Sequence, residues 1–394
     1  MMTMMMRIDA HVHFTPPELA ENLGSLAERE PYWSLLLDPP DGRSIQGYAS
    51  AERMVGDMDA AGIDKVVLVG EYFYQHESCV ARNNIALDLI QKYPERIMAM
   101  ATIQPNAGQK AVDELKRCLA GGLLGMGELN PYAQGFRLDA AVFAPLVELC
   151  IEADVPLNLH VSEEIGGYYL GKSTTPLRHY YELACRYPAL KLILAHWGGG
   201  LLFYELMPRV RKQLANVFYD TAASPLLYPT KKIFATALSC VDRSKILYGS
   251  DYPLLIYPRQ MREPDFRPFL AAIDGLGLEE DVAADVLGRN AASVFSKQLS
   301  VFSGDARIEN VARRDASPSK SKIENSPISL SLPVALIAQE YPETQVVLAR
   351  YNIPWRDEVV PSWEPLGQAA VAQGLGRRQQ AGLLAELAEI VGVD

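Results

Sequence analysis

The sequence of 394 residues lacks the long apolar runs, roughly 20 residues each, that membrane helices need. It also lacks an excess of basic charge, since 37 Lys and Arg residues stand against 48 Asp and Glu residues and the net charge is −11. Such a chain has no general attraction for phosphate backbones or acidic lipids, so we expect no nucleic-acid or membrane partner. Its 49% hydrophobic content excludes a disordered chain and favours a globular, soluble protein.

Cysteine is scarce, with five scattered residues and no closely spaced pair. This pattern does not suit a disulfide framework and favours a reducing compartment. The first residues also lack a basic leader followed by an apolar segment and a small-residue cleavage site. We therefore expect a cytoplasmic protein that acts on a small molecule. A homo-oligomer is compatible with the sequence and stays open.

Short β-rich runs alternate with segments of helical period from Arg7 to about Phe295. This alternation is typical of repeated β-α units around a parallel sheet. Several runs are apolar on both faces, as strands between a helical layer and a barrel interior should be. Eight such runs predict an α/β fold, a closed (β/α)8 TIM barrel. The predicted strands are Arg7–Phe14, Lys65–Gly70, Ile97–Gln104, Leu124–Leu129, Pro156–Val161, Lys191–Ala195, Val217–Thr221 and Lys245–Gly249.

The composition changes after Gln298. Residues 303–331 are rich in Ser, Lys, Arg and Asp and poor in aromatic residues, which indicates a flexible linker. Short segments of helical spacing follow, with a turn over Ala369–Gln373. We predict a barrel domain over residues 1–299, a linker over residues 300–331 and a small all-helical domain over residues 332–394.

Histidine is also scarce, and four of the six histidines fall at the ends of predicted strands. His11 and His13 lie two apart in the first strand, so both imidazoles face the same side. His160 ends the fifth strand, His196 ends the sixth and Asp251 follows the eighth. In a parallel barrel these ends share the face where active sites of this fold are found. Because buried imidazoles and a carboxylate would converge at high cost without a cation, we predict a bound divalent metal.

This set of residues resembles the amidohydrolase superfamily, from His-x-His in the first strand to Gly-Ser-Asp-Tyr-Pro in the eighth. The branch it resembles most is the amidohydrolase-related group that includes aminocarboxymuconate-semialdehyde decarboxylase. The likeness covers about Arg7 to Phe295 and includes the closing helix of that group. The segment after the linker resembles a small helical domain of unknown function, without the cysteine pair that its relatives commonly carry.

The resemblance implies that His11, His13, His160 and Asp251 are metal ligands. Such a set leaves a position open for water, whose pKa a divalent cation lowers to roughly 7. Asp251 would then be the general base that later returns the proton, and His196 would position or polarise the substrate or the water. Zinc suits this histidine-rich site best, with manganese or iron as alternatives.

Glu128 ends the fourth strand, where binuclear members of the superfamily place a bridging ligand. With Glu128 the candidate ligands suffice for two metals. We favour one metal, with Glu128 otherwise a substrate-facing acid or a partner of a ligand.

Candidate substrate-binding residues lie on loops predicted at the same face. His76 follows the second strand, and Arg137 and Arg178 are basic groups that would hold a substrate carboxylate. Arg82 and Arg259 occupy comparable loops. Each of these residues is also compatible with an ordinary solvated position.

We expect a metal-dependent hydrolase that attacks an amide or lactone bond of a small organic acid with metal-activated water. The alternative is a non-oxidative decarboxylase of the aminocarboxymuconate or resorcylate type, because the branch contains both chemistries on the same ligands. A third alternative is a scaffold that keeps its metal while the C-terminal unit serves interactions.

Overall fold

The computed structural model describes residues 6–21, 29–39, 44–167, 169–295, 328–330, 332–355, 364–373, 375 and 377–391. It divides into two units, Met1–Leu299 and Ser300–Asp394, each of which is described by itself. Most of the linker predicted over residues 300–331 lies outside the described residues. In the described part of the chain, no helix combines the length and apolar character that crossing a membrane requires.

The first unit is a closed barrel of eight parallel strands. The strands are β1 (Ile8–Val12), β2 (Lys65–Leu68), β3 (Ile97–Ala99), β4 (Met126–Leu129), β5 (Leu157–Leu159), β6 (Leu192–Leu194), β7 (Val217–Asp220) and β8 (Ile246–Leu247). β1 to β3 pair in chain order, and so do β4 to β8. Parallel bridges from Ala101 to Met126 and from Val12 to Tyr252 close the ring. The predicted barrel is therefore confirmed.

Helices lie between the strands and bury one face against them. In the helix Ala51–Ala61, for example, the Ser50 side chain accepts from the backbone N–H of Arg53, and Met54 and Met58 enter the core. Further α-helices among the described residues of this unit include Pro17–Glu21, Pro31–Leu37, His76–Lys92, Gln109–Ala120, Pro131–Gln134, Ala144–Glu152, Leu177–Arg186, Pro208–Gln213, Ser224–Leu227, Thr230–Cys240, Arg267–Asp274, Glu280–Ala284 and Asn290–Phe295.

Regular pairing covers less of each strand than the sequence predicted. The third strand was predicted to reach Gln104, but its ladder ends at Ala99 and only an isolated bridge at Ala101 follows. The apolar pattern continues past this point because Met100 and Ile103 are still buried in the core. Burial thus extends beyond the hydrogen-bonded ladder. The predicted strand is too long because an apolar sequence pattern indicates which residues are buried, not which residues pair with a neighbouring strand.

The second unit is helical in its described residues. Ile337, Leu348, Leu366 and Leu387 are buried in its core. Its helices are Val334–Glu340, Gln345–Arg350, Leu366–Ala372 and Arg377–Ile390. The turn predicted over Ala369–Gln373 is wrong for most of its length, because these residues continue the helix that begins at Leu366.

A buried ion pair lies beside the start of β8. The Lys245 ammonium donates to Glu205 Oε1 and to the Leu214 carbonyl, and the Tyr219 hydroxyl donates to the same Glu205 oxygen. Lys245→Met is expected to lower the free energy of unfolding by about 3–5 kcal/mol, because Glu205 would keep a buried charge without its partner. Denaturant unfolding measures this loss. Lys191→Met, which removes a more exposed pair with Asp154, should cost about 1 kcal/mol or less.

Candidate metal centre

Five side chains predicted as site residues, together with Glu128, meet at the carboxyl ends of the strands. His11 lies within β1 and His13 just after it, while Glu128 lies within β4. All six side chains are at least nine-tenths buried. His160 follows β5 directly, and the last two members are His196 and Asp251, which have positive φ angles of 57° and 67°. The strand ends and two left-handed turns therefore bring together residues far apart in sequence.

One group of ligand atoms surrounds the two imidazoles of the first strand. Glu128 Oε2 lies 3.5 Å from both His11 Nε2 and His13 Nε2. Asp251 Oδ1 lies 3.4 Å from His13 Nε2 and 3.9 Å from His11 Nε2. Metal bonds of about 2.1 Å at tetrahedral angles separate ligand atoms by about 3.4 Å, so these separations suit one divalent ion.

A second group lies on the other side of the same carboxylate. Glu128 Oε1 is 2.8 Å from His160 Nδ1 and 3.4 Å from His196 Nε2, and the two ring nitrogens are 3.1 Å apart. His160 Nε2 faces the Gly171 carbonyl at 3.0 Å, and His196 Nδ1 faces the Ala222 carbonyl at 2.9 Å. Because a carbonyl only accepts, those nitrogens carry hydrogen. The opposite nitrogens therefore converge with Glu128 as acceptors, which calls for a shared cation or proton.

The first group also contains an unsatisfied nitrogen that fits a metal. His11 Nδ1 donates to Asp220 Oδ2 at 2.9 Å, which leaves Nε2 for a proton or a metal ion. Burial would lower the pKa of His11, but Asp220 and Glu128 raise it well above its usual range, so a cation at Nε2 is favoured. Among the described residues, this buried Nε2 has no hydrogen-bond partner. A neutral imidazole whose far nitrogen is fixed by a carboxylate is the usual arrangement of a metal-ligating histidine. The donor set of imidazoles and carboxylates therefore fits a divalent cation.

The charges of the centre are strongly coupled. Burial alone would raise the pKa of Glu128, but His11 and His160 hold it well below its usual range. Burial lowers the pKa of His13 to about 4, although Asp251 lies nearby. Burial would also lower the pKa of His196, but Glu128 and Asp251 raise it to about 9. The centre thus places an ionised Glu128 carboxylate between two kinds of imidazole: the pKa of His13 is lowered and the pKa of His196 is raised.

The sequence from residue 8 to residue 297 matches the family model described as Amidohydrolase. This span covers well over half of the chain. The chain belongs to the amidohydrolase family. The resemblance stated above is therefore confirmed, and so is the prediction of an amidohydrolase-type metal-dependent enzyme. No curated protein is significantly similar to the chain.

Solved structures of similar fold include three enzymes. The chain is 19% identical to 5-carboxyvanillate decarboxylase from Novosphingobium aromaticivorans, described in complex with manganese, with 74% of this chain and 96% of that chain covered and a TM-score of 0.57. It is 20% identical to a dihydroxybenzoic acid decarboxylase from Polaromonas, also with manganese, with 76% and 100% covered and a TM-score of 0.55. The third is 4-oxalomesaconate hydratase from Rhodopseudomonas palustris, at 18% identity, 74% and 96% coverage and a TM-score of 0.51.

Asp220 belongs to the centre of this amidohydrolase although the sequence analysis did not select it. It ends β7, its Oδ2 accepts from His11 Nδ1, and its Oδ1 accepts from the backbone N–H groups of His196 and Ala222. One carboxylate therefore orients the imidazole of His11 and holds the backbone of His196. Its place one residue before the end of the predicted strand Val217–Thr221 was the available signal.

Asp220→Ala is expected to weaken metal binding about 10- to 100-fold, because His11 would lose the partner that fixes its ring and tautomer. Titration with a competing chelator measures the affinity. The matched control is Asp139→Ala, which removes an exposed carboxylate paired with Arg137 and should leave the affinity unchanged. An Asp220→Ala protein with wild-type affinity would contradict the orienting role.

Aromatic rings form a second feature of the centre. One of them, Trp33, belongs to the unusually long sequence segment Thr15–Ala49, and long loops are typical of lids and binding walls. The Trp33 ring lies 6.1 Å from the His13 ring, and the Tyr72 ring lies 5.5 Å from the His160 ring. Trp33 and Tyr72 contact each other edge to face at 5.2 Å. Trp33 Nε1 is buried and has no hydrogen-bond partner in the described part of the chain. These two residues, the aromatic wall, thus border both ligand groups.

The predicted substrate-binding residues lie elsewhere or at the edge. Arg137 is largely exposed and pairs with Asp139, and Arg178 is largely exposed and pairs with Glu182. His76 begins the helix His76–Lys92 in a half-buried position. For none of the three does the described part of the chain show a contact with the ligand groups. Their role in binding stays a prediction.

Proposed function

We propose that this amidohydrolase is a metal-dependent, non-oxidative decarboxylase of small aromatic or muconate-type acids. The observation that carries the proposal is the aromatic wall beside the ligand groups. A flat unsaturated ring gains contact area and offset stacking against Trp33 and Tyr72, whereas an extended amide does not need two such rings. Two of the three solved structures named above are decarboxylases of aromatic acids, which further favours this chemistry over hydrolysis.

His11, His13 and Asp251 would hold the metal together with Glu128 Oε2, with His160 and His196 on the other side of Glu128. The bound ion would supply a Lewis acid toward a substrate oxygen. Manganese is supported by the manganese in the two similar decarboxylases, while zinc, which the sequence favoured, has no such support. We keep the metal count at one for this proposal.

The proton required by decarboxylation would come from Asp251. Its Oδ2 lies 3.9 Å from His196 Nδ1 and its Oδ1 lies 3.4 Å from His13 Nε2, so its carboxyl group borders the substrate position. A proton held there would pass to the ring carbon that carries the departing carboxylate. The C–C bond then breaks, CO2 leaves, and the bonding electron pair returns to the ring. His196 would position the substrate from the opposite side.

The test is an activity screen of the manganese- and zinc-loaded protein on aromatic acids, lactones and amides. We expect loss of CO2 from an acid such as 5-carboxyvanillate or 2,6-dihydroxybenzoate, with one deuterium at the vacated carbon when the reaction runs in D2O. Hydrolysis of lactones or amides without any decarboxylation would overturn the proposal in favour of the hydrolase. If His11→Ala combined with Asp251→Ala left all activity untouched, the scaffold alternative would hold.

We also infer that the protein works in a reducing compartment such as the cytoplasm. All five cysteines are free, and four of them are buried. Burial raises the pKa of Cys150 to about 12, so its thiol stays protonated and unreactive.

A further inference from the structure

One buried arginine on the face of the metal centre has no part in the mechanism above. Arg82 lies in the helix His76–Lys92 and is only 7% exposed. Its Nε donates to the buried Glu71 carboxylate. Among the described residues, neither of its Nη groups has a hydrogen-bond partner. Neither Nη atom is fully buried, so this edge of the guanidinium faces space that water or a ligand can enter.

The contacts of Arg82 place it beside the ligand groups. Its guanidinium carbon lies 5.3 Å from the centre of the Phe14 ring, and Phe14 directly follows His13. Glu71 is followed by Tyr72, whose ring faces His160. On its other side Glu71 follows Gly70, whose N–H donates to the carbonyl before Glu128. The two residues that contact Arg82 are thus sequence neighbours of the site: Phe14 follows His13 of the first ligand group, and Glu71 precedes Tyr72 of the aromatic wall.

Three other basic side chains near this face or predicted to lie there already have acidic partners. Lys172, next to the Gly171 carbonyl that accepts from His160, donates to Glu163 and lies within hydrogen-bond range of two backbone carbonyls. Arg137 and Arg178 pair with acids at the surface. Arg82 differs because Glu71 uses Nε and fixes the plane of the guanidinium, which leaves the edge formed by the two Nη groups.

We propose that Arg82 binds a second carboxylate of the substrate, one that is not removed, through its two Nη groups. This inference rests on the proposed decarboxylase and names its substrate class as an unsaturated or aromatic dicarboxylic acid. The planar fork matches the two oxygens of a carboxylate, which a lysine ammonium does not. Glu71 is the positioning residue, since it holds the guanidinium without using the Nη edge.

The experiment compares wild type with Arg82→Lys in the metal-loaded, full-length protein. KM is measured for 5-carboxyvanillate, which has two carboxylates, and for 2,6-dihydroxybenzoate, which has one. We expect Arg82→Lys to raise KM for the diacid about tenfold or more, with a change of less than about threefold for the monoacid. Arg117→Gln is the control, because Arg117 is also a helical arginine paired with a glutamate but is half-exposed and uses Nε and Nη2 for that pair.

Calorimetric titration with isophthalate and benzoate separates this inference from the proposed function. If the wild type turns over no acid but binds isophthalate in an Arg82-dependent way, the decarboxylase proposal fails and the carboxylate site stands. Equal changes for diacid and monoacid, or no change for either, would overturn the site. Thermal melting and metal content confirm that Arg82→Lys is folded. If Arg82→Lys does not fold, the test uses the wild type alone. A wild type that binds isophthalate no more tightly than benzoate would also overturn the site.

Discussion

Asp251→Asn is expected to lower kcat for decarboxylation about a thousandfold, while KM changes less than about threefold. The amide keeps the size and one oxygen of the carboxylate, so His13 retains a neighbouring acceptor. It cannot hold and deliver the proton that must reach the ring carbon. Because proton delivery occurs in the transition state, its loss falls on kcat.

Steady-state kinetics on the acid identified in the screen, together with metal content, checks this prediction. The control is Asp274→Asn, which removes an exposed carboxylate paired with Arg7 and should leave kcat unchanged. An Asp251→Asn protein with a full complement of metal and wild-type kcat would exclude Asp251 as the proton donor. Loss of metal together with turnover would instead show a ligand role alone.

The histidines of the centre were predictable because they are rare and their spacing is informative. His11 and His13 alternate along one strand, and His160 and His196 each follow a buried apolar run. Parallel strand ends share one face, so the topology brings these residues together before any contact is known. Glu128 was noticed for the same reason, but its use of one oxygen toward each ligand group depends on side-chain positions that a linear pattern does not contain.

Other residues near the site could not be assigned to it from the sequence, because their roles depend on contacts between distant parts of the barrel. Asp220 touches His11 over a separation of 209 residues, and Trp33 reaches His13 from a helix in the long loop after β1. Arg82 looked like any loop arginine, because its burial and its pairing with Glu71 follow from how one helix packs. Arg137 and Arg178 illustrate the opposite case. Their sequence positions also suggested substrate binding, but both side chains are exposed and form ion pairs at the surface.

Removing both imidazoles of the first strand, in His11→Ala combined with His13→Ala, is expected to empty the metal site and abolish turnover. The wild type should contain about one equivalent of metal per chain, and the double variant less than about a tenth. The first ligand group loses half of its donors, and a carboxylate pair without imidazoles binds first-row metals weakly. Metal content of protein purified without added metal, measured alongside its folded signal, checks this.

The metal content of Glu128→Ala distinguishes one bound ion from two, because Glu128 contacts both ligand groups. With one ion among His11, His13 and Asp251, the second group needs only a proton, and His196, whose pKa is raised to about 9, provides it through Nε2 toward His160 and Glu128. We then expect Glu128→Ala to keep about one equivalent with weaker affinity. Near two equivalents in the wild type, falling to one in the variant, would instead put a second ion between His160 and His196. That outcome would make Glu128 a bridging ligand and move the chemistry from decarboxylation toward binuclear hydrolysis.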